Sequence, residues 1–195
     1  MLRESGWDIS PEEADRRFIG FSFGDVKTMA EAHLGRSLGD DWVTKVVARV
    51  VDVMRIGAEP MPGAREALEA VTVLGLPWRI ASNSSFLEMD AKFGRTGWKE
   101  LVAGRVHSAV DLIAQGGRPK PAPDVYLAAA EAQGVVAGHC LVIEDSVAGV
   151  TAALSAGMDC LGLVPHGDGA AIRAAGAVPF RSMHDLPALV RAALA

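Results

Sequence analysis

At 195 residues, half of them apolar, the chain can bury the core of one large domain or of a domain carrying an insert. A net charge of −5 without any basic run argues against nonspecific nucleic-acid binding, and the apolar runs fall far short of a membrane span. No signal peptide opens the chain, and Cys140 and Cys160 read as buried free thiols of a reducing cytoplasm, without zinc-type Cys/His spacing.

In chain order, Met1–Gly6 has helical composition but no N-cap before it. Ser10-Pro11-Glu12-Glu13 is a helix start, with a cap residue, Pro at the first position and acids that suit the helix dipole. Ala14, Phe18 and Ile19 give that helix one apolar face. Ser22 caps a second helix, with Val26, Met29, Ala30 and His33/Leu34 at helical spacing and Gly35 at its end. His33 reads as a packed or interfacial histidine rather than a ligand. Asp40-Asp41 opens a third helix, striped by Trp42, Val43, Val46, Val47, Val50 and Met54. Three helices without a strand predict a helical unit over 9–58, preceded by 1–8 as the remnant of a core or linker helix. The Pro- and Gly-rich stretch 59–63 is a linker.

From 64 to 195 helices and strands alternate. A helix over 63–74 precedes a strand, Trp78–Ala81, which runs into Ser82-Asn83-Ser84-Ser85. A helix over 85–95 and a short strand near Gly104–His107 follow. Arg118–Asp124 is a Pro-locked loop before a helix at 123–133. A strand at 140–144 leads into Glu144-Asp145 and a small-residue helix stopped by Gly157. Strands at Met158–Val164 and Val178–Phe180 and helices at Asp168–Ala175 and His184–Leu194 complete the chain. The alternation predicts an α/β fold, a doubly wound, Rossmann-like parallel sheet beside a small all-helical cap.

Ligands of open α/β sheets sit outside the carboxyl ends of the strands, where Ser82, Glu144 and Asp145 fall. Right-handed crossovers bring these strand ends and Lys120 to one edge. Hydroxyls and N–H groups after Ser82 suit phosphate oxygens, Lys120 adds a positive charge, and the two carboxylates suit Mg²⁺. The plainer alternatives are a capping cluster at Ser82–Ser85, a solvated lysine at 120, and a helix cap at Asp145 or Ser146.

Ile80-Ala81-Ser82-Asn83-Ser84, Lys120-Pro121-Ala122-Pro123-Asp124 and Val142-Ile143-Glu144-Asp145-Ser146-x-x-Gly149 resemble the second, third and fourth motifs of the haloacid dehalogenase superfamily. Their order and spacing fit its phosphatase and β-phosphoglucomutase-like branch, which inserts a helical cap after the first motif. The resemblance implies that Ser82, with Asn83 beside it, binds the transferring phosphoryl group. It implies that Lys120 bridges that group to the nucleophile, and that Asp145 with Glu144 holds Mg²⁺. The family's first motif is an Asp-x-Asp on a central strand, and no Asp in this sequence is followed by another two residues later. We therefore expect the sequence to begin within the family's first helix, with on the order of 20–30 upstream residues carrying the nucleophile. We also expect a gap in the sheet between the strands ending at Ser82 and Asp145.

The implied function is Mg²⁺-dependent hydrolysis of small phosphate monoesters through an aspartyl-phosphate, with negligible turnover by the chain as written. A phosphosugar mutase and a non-catalytic phosphate-binding protein are the alternatives. Phe23 stands where the mutases commonly carry an Arg after Gly-x-Ser, which weakens the mutase reading. Dehalogenase chemistry, which works without Mg²⁺, ranks behind all three. The expected partner is a small phosphorylated metabolite, with no nucleic acid or membrane, and the expected state is a cytoplasmic monomer or small homo-oligomer.

Overall fold

The computed structural model describes residues 1–18 and 21–194. Ile19, expected on the first helix's apolar face, and Gly20, of the Gly-x-Ser stretch, lie outside the described residues. The helical unit is α1 (Pro11–Phe18), α2 (Phe23–Leu34) and α3 (Trp42–Gly57). Ser22 and Asp25 close a reciprocal capping box at the start of α2, and Gly35 ends that helix at φ 64°.

This unit has its own core. Trp7, Ile9 and Ala30 are buried together, and Val26, Trp42 and Val46 form an adjoining cluster. The His33 ring is exposed and stacks on Trp7 with ring centroids 4.1 Å apart. The Trp42 indole N–H donates to Ser5 Oγ at 3.0 Å, and Leu2 lies against both clusters. Residues 1–8, read from the sequence as a remnant of a core or linker helix, are thus turns packed into the cap. Their apolar residues face α2 and α3 rather than the sheet.

The remaining elements are α4 (Ala64–Val73), β1 (Ile80–Ser82), α5 (Phe86–Thr96), α6 (Lys99–Val102), β2 (Val106–Ser108), α7 (Ala109–Leu112), α8 (Asp124–Gln133), β3 (Leu141–Glu144), α9 (Val147–Ser155), β4 (Asp159–Leu163), α10 (Ala170–Ala174), β5 (Val178–Phe180) and α11 (Leu186–Ala193). All strand pairs are parallel. Alternation along β3 and β4 sends Val142 and Cys160 to one face, into a core with Val125 and Val150 of α8 and α9. It sends Leu141, Ile143, Leu161 and Leu163 to the other, against Ala67 of α4 and Leu186 and Val190 of α11. Helices on both faces make the sheet doubly wound, as expected.

Most strand boundaries shift by one or two residues from expectation, the start of β1 among them. Trp78 and Arg79 precede β1 rather than belonging to it, because their side chains serve as ties. The Trp78 indole N–H donates to Thr72 Oγ1 at 2.9 Å. The Arg79 guanidinium donates to Gln133 Oε1, Gly104 O and Ala132 O at 3.0, 3.0 and 2.8 Å, fastening β1 to α8 and to the start of β2. The short helices α6 and α7 carry too few residues to show a periodicity.

The strands fall into two sheets, β1-β2 and β3-β4-β5. Among the described residues β1 pairs with β2 alone and β3 with β4 alone, so each has one edge without a strand partner. The interruption lies where the expected gap was placed. Cap and core meet along α3 and α5, where Arg95 Nε donates to Ile56 O at 2.9 Å.

Candidate functional site

The carboxyl ends of β1 and β3 are joined by one side chain. Lys120 lies in the loop before α8, and its ammonium donates to Ala81 O at 3.0 Å and contacts Glu144 Oε1. Ser82 and Asp145 are the residues next in sequence to those two partners. The expected convergence of Ser82, Lys120 and the Glu144-Asp145 pair is therefore present.

The Lys120–Pro121 peptide is cis. Asn83 holds the same loop from the other side. Its Oδ1 accepts from Lys120 N at 2.9 Å and its Nδ2 donates to Lys120 O at 3.3 Å. Asn83, expected beside Ser82 as a phosphate ligand, is thus engaged as a clamp on the lysine's backbone. Ser82 Oγ accepts from Ser84 N at 3.1 Å, a local turn bond that leaves Ser82 at the strand end. The capping reading of the serine cluster holds for Ser85, which forms a capping box with the buried Glu88 at the start of α5. Asp111 accepts from the Phe86 N–H, the next amide of that helix start.

Glu144 and Asp145 are adjacent and differently placed. Glu144 is 9% exposed, and both of its oxygens are engaged. Oε1 receives Lys120 and the Tyr126 hydroxyl, the latter at 2.6 Å. Oε2 receives Asp145 N, Ser146 N and Ser146 Oγ at 3.1, 3.2 and 3.0 Å. Burial works to raise the Glu144 pKa, but the Lys120 charge and the donated hydrogen bonds outweigh it and hold the carboxyl below its ordinary value. Asp145 is exposed at the strand end. Partial desolvation, and then the neighbouring Glu144 charge, raise its pKa. Of the expected metal pair, Asp145 is the carboxylate turned outward, and Glu144 is turned into the protein.

Two contributors were not assigned from the sequence. Tyr126, in the first turn of α8, is buried beneath the lysine, with Lys120 Nζ 4.6 Å from its ring centroid. Burial, followed by the Glu144 charge, pushes its phenol far above the usual range, so the hydroxyl stays a donor. Gly149 lies against Glu144, and a Cβ there would sit 1.9 Å from Glu144 Cδ. The motif spacing marked Gly149 but gave it no task, and nothing local to Tyr126 distinguishes it from a core aromatic. A cleft of about 510 Å³ opens elsewhere, near the start of β1, and neither Ser82, Lys120 nor Asp145 lines it.

Residues 5–157 match the family model of the haloacid dehalogenase-like hydrolases. The 6-phosphogluconate phosphatase of Escherichia coli K12 is 28% identical over 160 residues, covering 82% of this chain and 69% of that protein. A conserved haloacid dehalogenase-like protein of unknown function from Agrobacterium tumefaciens superposes with a TM-score of 0.80 at 30% identity, over 100% of this chain and 88% of that one. A hydrolase of the same family from Deinococcus radiodurans, solved with phosphate and sodium bound, gives a TM-score of 0.69 at 32% identity, over 99% and 83% of the two chains. The matched stretches span only 24% and 9% of the length of two curated Arabidopsis thaliana relatives.

Proposed function

The chain belongs to the haloacid dehalogenase-like hydrolases, and on that footing we propose that it supplies the phosphate-holding and metal-holding part of a Mg²⁺-dependent phosphatase of small phosphate monoesters. The observation that carries the reading is the Lys120 ammonium, which ties the strand end at Ser82 to the strand end at Asp145. Ser82 at the strand end holds a phosphoryl oxygen, and Lys120 offsets the charge of the phosphoryl group. The ionised phosphate of a sugar phosphate or sugar-acid phosphate fits this chemistry, and the E. coli relative is named for such a substrate.

The donor set fits Mg²⁺ in a particular way. This ion takes one or two carboxylates and completes its shell with waters and phosphate oxygens. Among the described residues no group of three or more Asp, Glu, His or Cys gathers into a cage, whereas Asp145 offers one outward carboxylate. Asp145 would hold the ion and Glu144 would anchor Lys120. When bound, Mg²⁺ supplies positive charge to the phosphoryl oxygens.

The nucleophile in this reading is an aspartate on a strand that the 195 residues do not contain. Such a strand would lie between β1 and β3, whose facing edges have no strand partner among the described residues. Its carboxylate would displace the alcohol from phosphorus, and water would then hydrolyse the aspartyl-phosphate. In this reading the helical cap would exclude bulk water and select the alcohol. No helix among the described residues is long and apolar enough to cross a membrane. The proposed setting is a cytoplasmic monomer or small homo-oligomer. The absence of any Asp-x-Asp favours one second reading, a phosphate-binding protein without turnover.

Hydrolysis of 4-nitrophenyl phosphate with and without Mg²⁺ tests this, comparing the chain with a form extended by a strand bearing Asp-x-Asp. Turnover in the extended form alone is expected. Turnover by the chain alone would overturn the assignment of the nucleophile. Phosphate binding without turnover in either form would establish the second reading.

A further inference from the structure

We propose, building on the phosphatase reading, that Tyr126 is a positioning residue which fixes the Lys120 ammonium through the Glu144 carboxylate, on a seat that Gly149 leaves open. Tyr126 touches both members of the ion pair. Its ring face lies 4.6 Å from Lys120 Nζ, and its hydroxyl donates to Glu144 Oε1 at 2.6 Å, the same oxygen that Lys120 contacts. Seen from the carboxylate, Oε2 is fastened by Ser146 and two backbone N–H groups, which belong to the rigid start of α9. Oε1 is fastened by two side chains, one stiff and one long and flexible. The stiff one is Tyr126, which is 7% exposed. Removing its hydroxyl leaves Oε1 with the flexible partner alone, and the carboxylate is then held only through Oε2, free to turn at the edge that meets the lysine.

Gly149 supplies the other half of the seat. A Cβ at 149 would stand 2.1 and 2.2 Å from the two Glu144 oxygens, so the carboxylate rests directly on the backbone of α9. Any side chain there would push Glu144 towards Lys120 and Tyr126. Tyr126 from one side and Gly149 from the other therefore define where the carboxylate lies, and the carboxylate defines where the ammonium lies.

The chain has one tyrosine and five lysines, so both partners can be observed individually by NMR with ¹³C-labelled Tyr and Lys. Lys120→Arg identifies the Lys120 ε-methylene signal. In the unsubstituted chain this signal is expected upfield, in the ring current of Tyr126, with a nuclear Overhauser contact to the tyrosine ring. Absence of both in the folded, unsubstituted chain would overturn the proposal. Tyr126→Phe keeps the ring and removes the hydroxyl. The Lys120 signal is expected to return at least halfway towards the other lysines, and the dissociation constant for inorganic phosphate to rise about five-fold, the scale of one hydrogen bond. A signal that stays in place, with unchanged phosphate affinity and a lower melting temperature, would make Tyr126 a core residue and nothing more. Gly149→Ala reads the same signal from the opposite side of the carboxylate. If the unsubstituted chain and Lys120→Met bind phosphate equally, the phosphatase reading fails, and the lysine signal still decides the positioning.

Discussion

Glu144 has no hydrogen-bonding capacity left over for solvent, since five donors converge on its two oxygens. Breaking a buried pair from one side strands the other charge, at a cost of roughly 3–5 kcal/mol. The side chains of Lys120 and Glu144 are 9% and 8% exposed, so that scale applies with little screening. Glu144→Gln should lower stability by about 3 kcal/mol, read as a fall in the urea midpoint at unchanged slope. His107 makes a second prediction at this scale. Its Nε2 lies 3.2 Å from Arg79 Nη1, and burial followed by the Arg79 charge lowers its pKa. A histidine that protonates less readily when folded favours the folded chain wherever it is neutral. That contribution is complete above the unfolded value of about 6.5 and is lost as pH falls below it. Between pH 7.5 and 5.5 the urea midpoint should fall more for the unsubstituted chain than for His107→Gln.

Among the elements, α5 shows what a cap contributes. Ser85 and Glu88 satisfy each other's backbone N–H groups, and Glu88 is only 4% exposed. Ser85→Ala should cost about 1 kcal/mol or somewhat more, because it also removes a donor from a buried carboxylate, and thermal melts would show it. Most elements were legible because their signals are local. Ser22 with Gly35 brackets α2, and the Pro-rich stretch before Gly63 ends the cap. The boundaries that shifted depend on distant partners. Nothing near Trp78 and Arg79 reveals that their side chains reach Thr72, Gln133 and Gly104, and nothing in Met1–Asp8 reveals that Trp7 stacks on His33. The site divided along the same line. Ser82, Lys120 and Asp145 stand at strand ends or in a Pro-locked loop and were readable there. Asn83's clamp on Lys120, the inward turn of Glu144 and the task of Tyr126 exist only in the folded arrangement.

On the scale of the whole molecule, the two sheets make unequal demands on hydrogen exchange. β4 is paired on both sides, by β3 and β5, whereas β1 and β3 have one strand partner each among the described residues. Amides of Cys160–Gly162 should exchange slowest, at rates near global unfolding, and those of Ile80–Ser82 should exchange by local opening. Extending the chain with the strand that the phosphatase reading requires should slow β1 and β3 together and leave β4 unchanged. Slowing at β1 alone would place the added strand elsewhere.

The interrupted sheet also bears on how this protein behaves in a tube. Strand edges that end without a neighbour are templates for another chain, and the usual safeguards are charge, proline or a covering helix. β1 reads Ile80-Ala81-Ser82, without charge or proline, and β3 reads Leu141-Val142-Ile143-Glu144, whose one charge is buried and paired with Lys120. The 195-residue chain should therefore precipitate or form larger species as its concentration rises, although its net charge of −5 opposes self-association. Filling the interruption should act first on solubility, before any catalysis is measured.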